Sequence, residues 1–279
     1  MRGRKRKQLI DAEVESPLSV AVQHRDKGTL ATVRAALERG DVVLAFQPVV
    51  QAGDENIVAF YEGLIRVLDE TGRVIPARDF MGAVENLDLG RIIDCVALRA
   101  GLRALKQMPD LRLAINMSAR SIGYPQWKQV LNRSLHSDPH VAERLILEIT
   151  ESSAMQMPEL VTVFMAELQE KGITFALDDF GAGHTAFRYL KEFYFDIVKI
   201  DAQFIRGVHQ DPNNQVLTQA LVSIADHFDM FTVAEAVESP DEAAWLAAAG
   251  IDCLQGYLFG APSLTPPWAL SKGGKSRTG

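Results

Sequence analysis

Residues 144–150 read RLILEIT, residues 158–171 read PELVTVFMAELQEK and residues 173–178 read ITFALD. The outer runs are apolar on consecutive positions, Leu145 to Leu147 being the clearest case, as expected of strands buried on both faces. The middle run is amphipathic at helical spacing. Strand, helix, strand with buried strands implies parallel pairing.

The same unit repeats in both directions. Strand candidates are Val42 to Val50, Ile57 to Arg66, Leu111 to Ser118, Arg144 to Thr150, Ile173 to Asp178, Phe195 to Ile200, Phe231 to Val237 and Ile251 to Leu254. The first helix is expected from Thr29 to Arg39, with Leu30, Val33 and Leu37 on one face and Gly40 as its stop. Others are expected over Leu89 to Lys106, Pro158 to Lys171, Asn213 to Phe228 and Pro240 to Ala249, the last closed by Gly250. Eight such units in roughly 240 residues predict a (β/α)8 TIM-like barrel with all strands parallel, although an open doubly wound sheet shares the pattern. No Gly-rich linker divides the chain, so one domain is expected over residues 28–268. A basic, flexible segment precedes it (1–27) and a flexible tail follows (269–279).

Polar residues interrupt these apolar strands. Glu62 stands between Tyr61 and Gly63, Asn116 between Ile115 and Met117, and Glu148 between Leu147 and Ile149; Asp178 and Asp179 follow Leu177, Lys199 lies between Val198 and Ile200, and Glu235 between Ala234 and Ala236. A buried unpaired charge is too costly to keep, so each must be paired, neutralised or metal-bound. One such residue reads as a strand-end cap or a solvent-facing side chain; six strands carrying one each do not. In a barrel the C-terminal strand ends converge on one mouth. Five carboxylates and a carboxamide there offer only oxygen, which suits Mg²⁺ or Mn²⁺ rather than structural zinc. The Asp178–Asp179 pair fits a site for two ions. Lys199 is either the charge partner of these acids or a group that orients the attacking water. Gly181 and Gly183, directly after the Asp pair, mark either a mobile active-site loop or an ordinary turn. Glu151 either holds that loop through backbone hydrogen bonds or begins the next helix at its positive end.

Bulk properties exclude other classes. The net charge of −7 disfavours a surface for nucleic-acid polymers, which requires clustered cations. The basic clusters Arg2, Arg4, Lys5, Arg6, Lys7 and Lys272, Lys275, Arg277 read as solvated termini, without the second signal that membrane docking requires. No apolar run resembles a secretory h-region or a bilayer span, so a cytoplasmic protein is expected. Cys95 and Cys253 read as core thiols, and the six histidines form no ligand pair.

Together the motifs resemble the EAL-domain phosphodiesterases of bacterial cyclic di-GMP signalling. They run in order: Phe46-Gln47-Pro48; Glu62-Gly63-Leu64 with Arg66; Asn116-Met117-Ser118; Leu147-Glu148-Ile149-Thr150-Glu151; Asp178-Asp179-Phe180-Gly181; Val198-Lys199-Ile200-Asp201; Ala234-Glu235-Ala236-Val237-Glu238; and Gln255-Gly256-Tyr257. The resemblance implies a barrel with one reversed strand, a homodimer formed near the loop after Asp179, and cyclic di-GMP bound at the mouth and hydrolysed to linear pGpG. It implies two Mg²⁺ or Mn²⁺ ions on Glu62, Asn116, Glu148, Asp178, Asp179 and Glu235. Catalytic roles fall on Lys199, Glu235, Glu62 and Asp178, substrate contacts on Gln47, Arg66, Asp201, Glu238, Gln255 and Tyr257, and loop stabilisation on Glu151. The chain departs from the family pattern at Gly63 (usually Ala), Ala236 (usually Gly), His184 and Ala186 (frequently Tyr and Ser). The rival reading is a receptor that binds cyclic di-GMP without hydrolysing it; its usual mark, a lost metal ligand or lysine, is missing.

Overall fold

The computed structural model describes residues 17–182 and 190–271. Nine strands form one sheet: β1 Val42–Gln51, β2 Asp54–Leu68, β3 Val74–Pro76, β4 Leu113–Asn116, β5 Leu145–Thr150, β6 Thr174–Phe180, β7 Ile197–Ile200, β8 Phe231–Ala234 and β9 Cys253–Gln255. The hydrogen-bonded order β1-β9-β8-β7-β6-β5-β4-β2 closes on itself through β1–β2, giving an eight-stranded barrel with β3 hung on the outer edge of β2. The closed barrel, not the open sheet, is the outcome.

Reading every strand as parallel was wrong for β1, which runs antiparallel to both β2 and β9. The cause is local. Only Ala52 and Gly53 separate β1 from β2, too few residues for the crossover a parallel pair needs, so the two form a hairpin. All remaining barrel pairs are parallel. The first helix begins at Pro17, not Thr29, and ends at Arg39; its Val33 and Ala36 pack with Val67, Phe80 and Ile93. Residues 17–27 are therefore helical rather than an irregular lead-in. His184 and Ala186, with Gly183 of the glycine loop and both basic terminal clusters, lie outside the described residues.

Alternation along the strands sorts side chains into two populations. Leu113, Ile115, Leu145, Leu147, Phe175, Leu177, Val198 and Ile200 face the helices in the main core. Val49, Phe60, Ala114, Ile146, Ala176, Ile197 and Val233 fill the barrel interior with Cys253 beside them. Mixing alanines with larger residues lets side chains from all the strands share this inner layer. Both cysteines are free, and burial pushes their thiols up to about 11, as core thiols require. Among the described residues no helix is long and apolar enough to cross a membrane.

Candidate functional site

The polar residues sit one step above that apolar layer. Because side chains repeat a face every second residue, Glu62 follows Phe60 on β2, Asn116 follows Ala114 on β4, Glu148 follows Ile146 on β5, Asp178 follows Ala176 on β6, Lys199 follows Ile197 on β7, Glu235 follows Val233 past β8 and Gln255 follows Cys253 on β9. On the reversed β1 the step runs backwards, from Val49 to Gln47. The site is thus one complete polar layer capping the barrel interior at the C-terminal strand ends.

Lys199 stands at its centre, 1% exposed. Its Nζ lies 2.8 Å from Glu235 Oε1, 3.1 Å from Asp178 Oδ1, 3.2 Å from Glu148 Oε2 and 3.3 Å from Glu62 Oε2. Burial alone would lower the ammonium's pKa, but the four acids together hold it well above its usual value. One lysine cannot neutralise four carboxylates in a dry layer. Glu148 is pushed well up by burial and by its acidic neighbours, and Glu235 rises to about 8, first from burial and then despite Lys199. Glu62 goes the other way: burial raises it, yet Lys199 and hydrogen bonds from Gln255 and Asn116 leave it below its usual value. Asp179 rises to about 6 through burial and the adjacent Asp178 and Asp201.

Two consecutive strand residues normally point to opposite faces. Asp179 escapes this because its φ is +57° and the β6–β7 register shifts between Leu177 and Phe180. Asp tolerates the left-handed region better than most residues, and its carboxylate joins those of Asp178 and Glu235 with oxygens all within 4.8 Å of one another. Ala236 is likewise left-handed, φ +53°, turning the chain just after Glu235. That turn is braced by Val237 N donating to Gln255 O at 3.0 Å. Gly256 makes the close approach feasible, since a Cβ there would meet Val237 O at 2.0 Å.

The donor set fits hard cations. All candidate ligand atoms are oxygens; Glu148 Oε1 is buried with no hydrogen-bond partner; and Asn116 Nδ2 donates to Glu62 Oε1 at 2.7 Å, which leaves its carbonyl oxygen as the atom that could ligate an ion. The Lys199 ammonium already stands where positive charge is most favoured.

The other predicted residues divide. Gln255 Nε2 donates to Glu62 Oε2 at 2.6 Å and to Gln47 Oε1 at 3.3 Å, while Gln47 Nε2 donates to Gly260 O at 3.1 Å. Both amides are buried and hold Glu62 in place. Glu151, first residue of the short helix Glu151–Ala154 that follows β5, accepts through Oε2 from Gly181 N at 3.0 Å and so ties the start of the glycine loop to that helix. Gly181 itself is at φ +92°, with Phe204 where a Cβ would stand. Asp201 caps the helix Ala202–Ile205 by accepting from Gln203 N, and Glu238 is half-exposed with its carboxylate 3.8 Å from Arg206. Arg66 is half-buried beside Glu62 and Tyr257, and Tyr257 is exposed. None of these last four lines the mouth cavity of about 490 Å³. That cavity reaches past Glu62, Asn116, Asp178 and Asp179 to Arg78, Arg120 and Asp94, which sequence reasoning missed. Arg78 and Asp94 carried no strand-interruption signal, and Arg120 lies four residues beyond Asn116 in a stretch without periodicity.

Residues 30–262 match the EAL domain family. Among curated relatives, the cyclic di-GMP phosphodiesterase PdeR of Escherichia coli is 31% identical over 82% of this chain and 35% of its own length, and the uncharacterised protein y4lL of Sinorhizobium fredii is 31% identical over 91% of this chain and 30% of its own. The chain thus spans about a third of these relatives. Among solved structures, the PaMucR phosphodiesterase in complex with c-di-GMP superimposes with a TM-score of 0.75 at 28% identity, covering 87% of this chain and 99% of that one. A manganese/cyclic di-GMP complex of Klebsiella pneumoniae BlrP1 gives 0.69 at 28%, over 80% and 56%.

Proposed function

Because the chain belongs to the EAL domain family, we propose that it is a phosphodiesterase that hydrolyses cyclic di-GMP to linear 5′-pGpG with two Mg²⁺ or Mn²⁺ ions, in the cytoplasm. The observation that carries the reading is the polar layer: four carboxylates on one buried ammonium, with Glu148 Oε1 left over. Glu62, Asn116, Glu148, Asp178, Asp179 and Glu235 are the residues that would hold the ions. When bound, two hard cations would acidify a water and offset phosphodiester charge.

The chain's own residues do the rest. Lys199, fixed by its acidic shell, orients the attacking water for in-line displacement of the 3′ oxygen. Arg78 and Arg120, on the cavity wall, bring guanidinium forks suited to phosphate oxygens into an otherwise acidic mouth. Gln47 and Gln255 keep Glu62 in register, and Glu151 holds the loop after Asp179. Leu160 and Val163 on one helix and Val216 and Leu217 on another are exposed apolar residues available to a homodimer.

The test is turnover of cyclic di-GMP by the purified chain with each metal, followed by chromatography of pGpG. Production of pGpG that disappears in Glu62→Gln and Asp178→Ala is the expected result. Tight binding of the dinucleotide with no product over hours under either ion would make the protein a receptor instead.

A further inference from the structure

Away from the mouth, the helices Asp88–Gln107 and Pro125–Ser137 leave between them a groove of about 680 Å³. The N-terminal half of the first helix faces the mouth cavity through Gly90, Ile93, Asp94 and Ala97; the groove takes its C-terminal half, from Arg99 onward. The two sites are separate places on one helix.

The groove is cationic without compensation. Arg99, Arg103, Lys106 and Arg133 line it and no carboxylate does, in a chain whose net charge is −7. None of the four forms a salt bridge among the described residues. Basic residues near a helix C-terminus are favoured by its dipole, which accounts for Lys106 in the last turn. It does not account for Arg103 and Arg99, one and two turns earlier, or for what lies beneath them. Ser134 is 93% buried (7% exposed), its Oγ has no hydrogen-bond partner, and it lines the groove floor beside Leu102 and Val130. A buried hydroxyl without a partner costs stability unless something supplies one.

We propose that this groove binds a multiply charged phosphorylated small molecule of nucleotide size. Guanidinium forks match phosphate oxygens, and the volume lies in the range of small-ligand sites. Ser134 Oγ offers a hydrogen bond at the floor, and Gln107, Gln126 and Gln129 present amides to the uncharged part of the ligand. The site is independent of the cyclic di-GMP reading.

The probe is ATP, titrated calorimetrically into the full chain in EDTA, so that no divalent cation carries it to the mouth. Saturable binding that weakens with salt is expected. Arg103→Ala/Arg133→Ala should weaken it at least tenfold, and Ser134→Ala several-fold without lowering the thermal midpoint of the ligand-free protein. The mouth variant Glu62→Gln should bind ATP as the wild type does, and all groove variants should keep cyclic di-GMP turnover. ATP binding that survives the groove substitutions, or that is lost in Glu62→Gln, overturns the proposal. So does capture of polyglutamate or anionic vesicles with no response to ATP, which would make the groove a macromolecular docking surface.

Discussion

Replacing Lys199 by methionine keeps most of the side chain's length and bulk while removing the cation that, alone among the described residues, is in contact with Glu62, Glu148, Asp178 and Glu235. Deleting one partner of a buried ionic cluster costs on the order of 3–5 kcal/mol, because the other charges remain buried and unpaired. Here the acids can escape by taking protons, as Glu235, already at about 8 in the presence of the lysine, is set to do. In the variant the folded-state pKa values of these acids lie above their unfolded ones. Their stabilising contribution is then present at low pH and lost as pH rises through the folded values. The deficit relative to wild type should therefore be small near pH 6 and approach the full ~3–5 kcal/mol near pH 9. The wild-type contribution of Lys199 persists across that window, since its own pKa is raised above the usual lysine value. Urea unfolding in EDTA at both pH values measures the deficit as a midpoint shift at constant slope. Saturating Mn²⁺ at about 100 times its dissociation constant returns about 2.7 kcal/mol to either protein, and the variant should need less metal to reach that point because the ammonium no longer competes. A variant as stable as wild type at pH 9 without metal would refute the claim that the layer is an acid cluster held by one lysine.

Ala236 at φ +53° carries a left-handed penalty of roughly 1–2 kcal/mol, against roughly 0.5–1 kcal/mol for the extra chain entropy of glycine; Ala236→Gly should gain about 0.5–1 kcal/mol in denaturant melts, and an unchanged or lower midpoint counts against the strain. A Cβ at Gly63 would meet Ile115 Cδ1 at 2.7 Å and Leu44 Cδ1 at 3.3 Å, so Gly63→Ala alone should cost about 1–3 kcal/mol by overpacking. Adding Ile115→Val, which removes that methyl, should recover part of the loss with a coupling of at least ~0.5 kcal/mol in a double-mutant cycle; strict additivity would mean the two side chains do not share the space. With Glu235 at about 8, Asp179 at about 6 and Glu148 pushed well up, cation binding must displace protons, so Mn²⁺ affinity should climb between pH 6 and 8, with release of at least about one proton near pH 7. Calorimetry in buffers of different ionisation enthalpy counts those protons, and an affinity flat over that range would contradict the raised acids.

Much of this site was legible because a single rule generates it. An inward strand position that is apolar in the lower layer becomes polar two residues later, so Ile146 and Glu148, or Ile197 and Lys199, read from the sequence as an apolar strand with one costly interruption. The same rule hid other parts. It places Asp178 and Asp179 on opposite faces, and only the left-handed turn at Asp179, a property of the backbone that no residue type announces, brings both into one cluster. The direction of β1 was written in the two-residue gap at Ala52-Gly53, but a strand-and-helix count passes over a connection with no helix in it. Arg78 and Arg120 come from short irregular segments, where position in space is set by the loops that follow β3 and β4 rather than by any period.

The residues expected to touch substrate carry a weaker signal in the sequence, and the reason is physical. Metal ligands are singled out by the energetic cost of burying them, whereas a contact residue on the rim is an ordinary surface side chain with local work available to it. Asp201 caps a helix and Glu238 faces Arg206, so each is already satisfied without a ligand. Glu148 Oε1 and the crowded acids around Lys199 are not. Among the described residues Lys199 is the one cation in contact with four of these acids, so the layer must hold protons or take up cations, and either answer ties residues scattered from Glu62 to Glu235 into one chemical site.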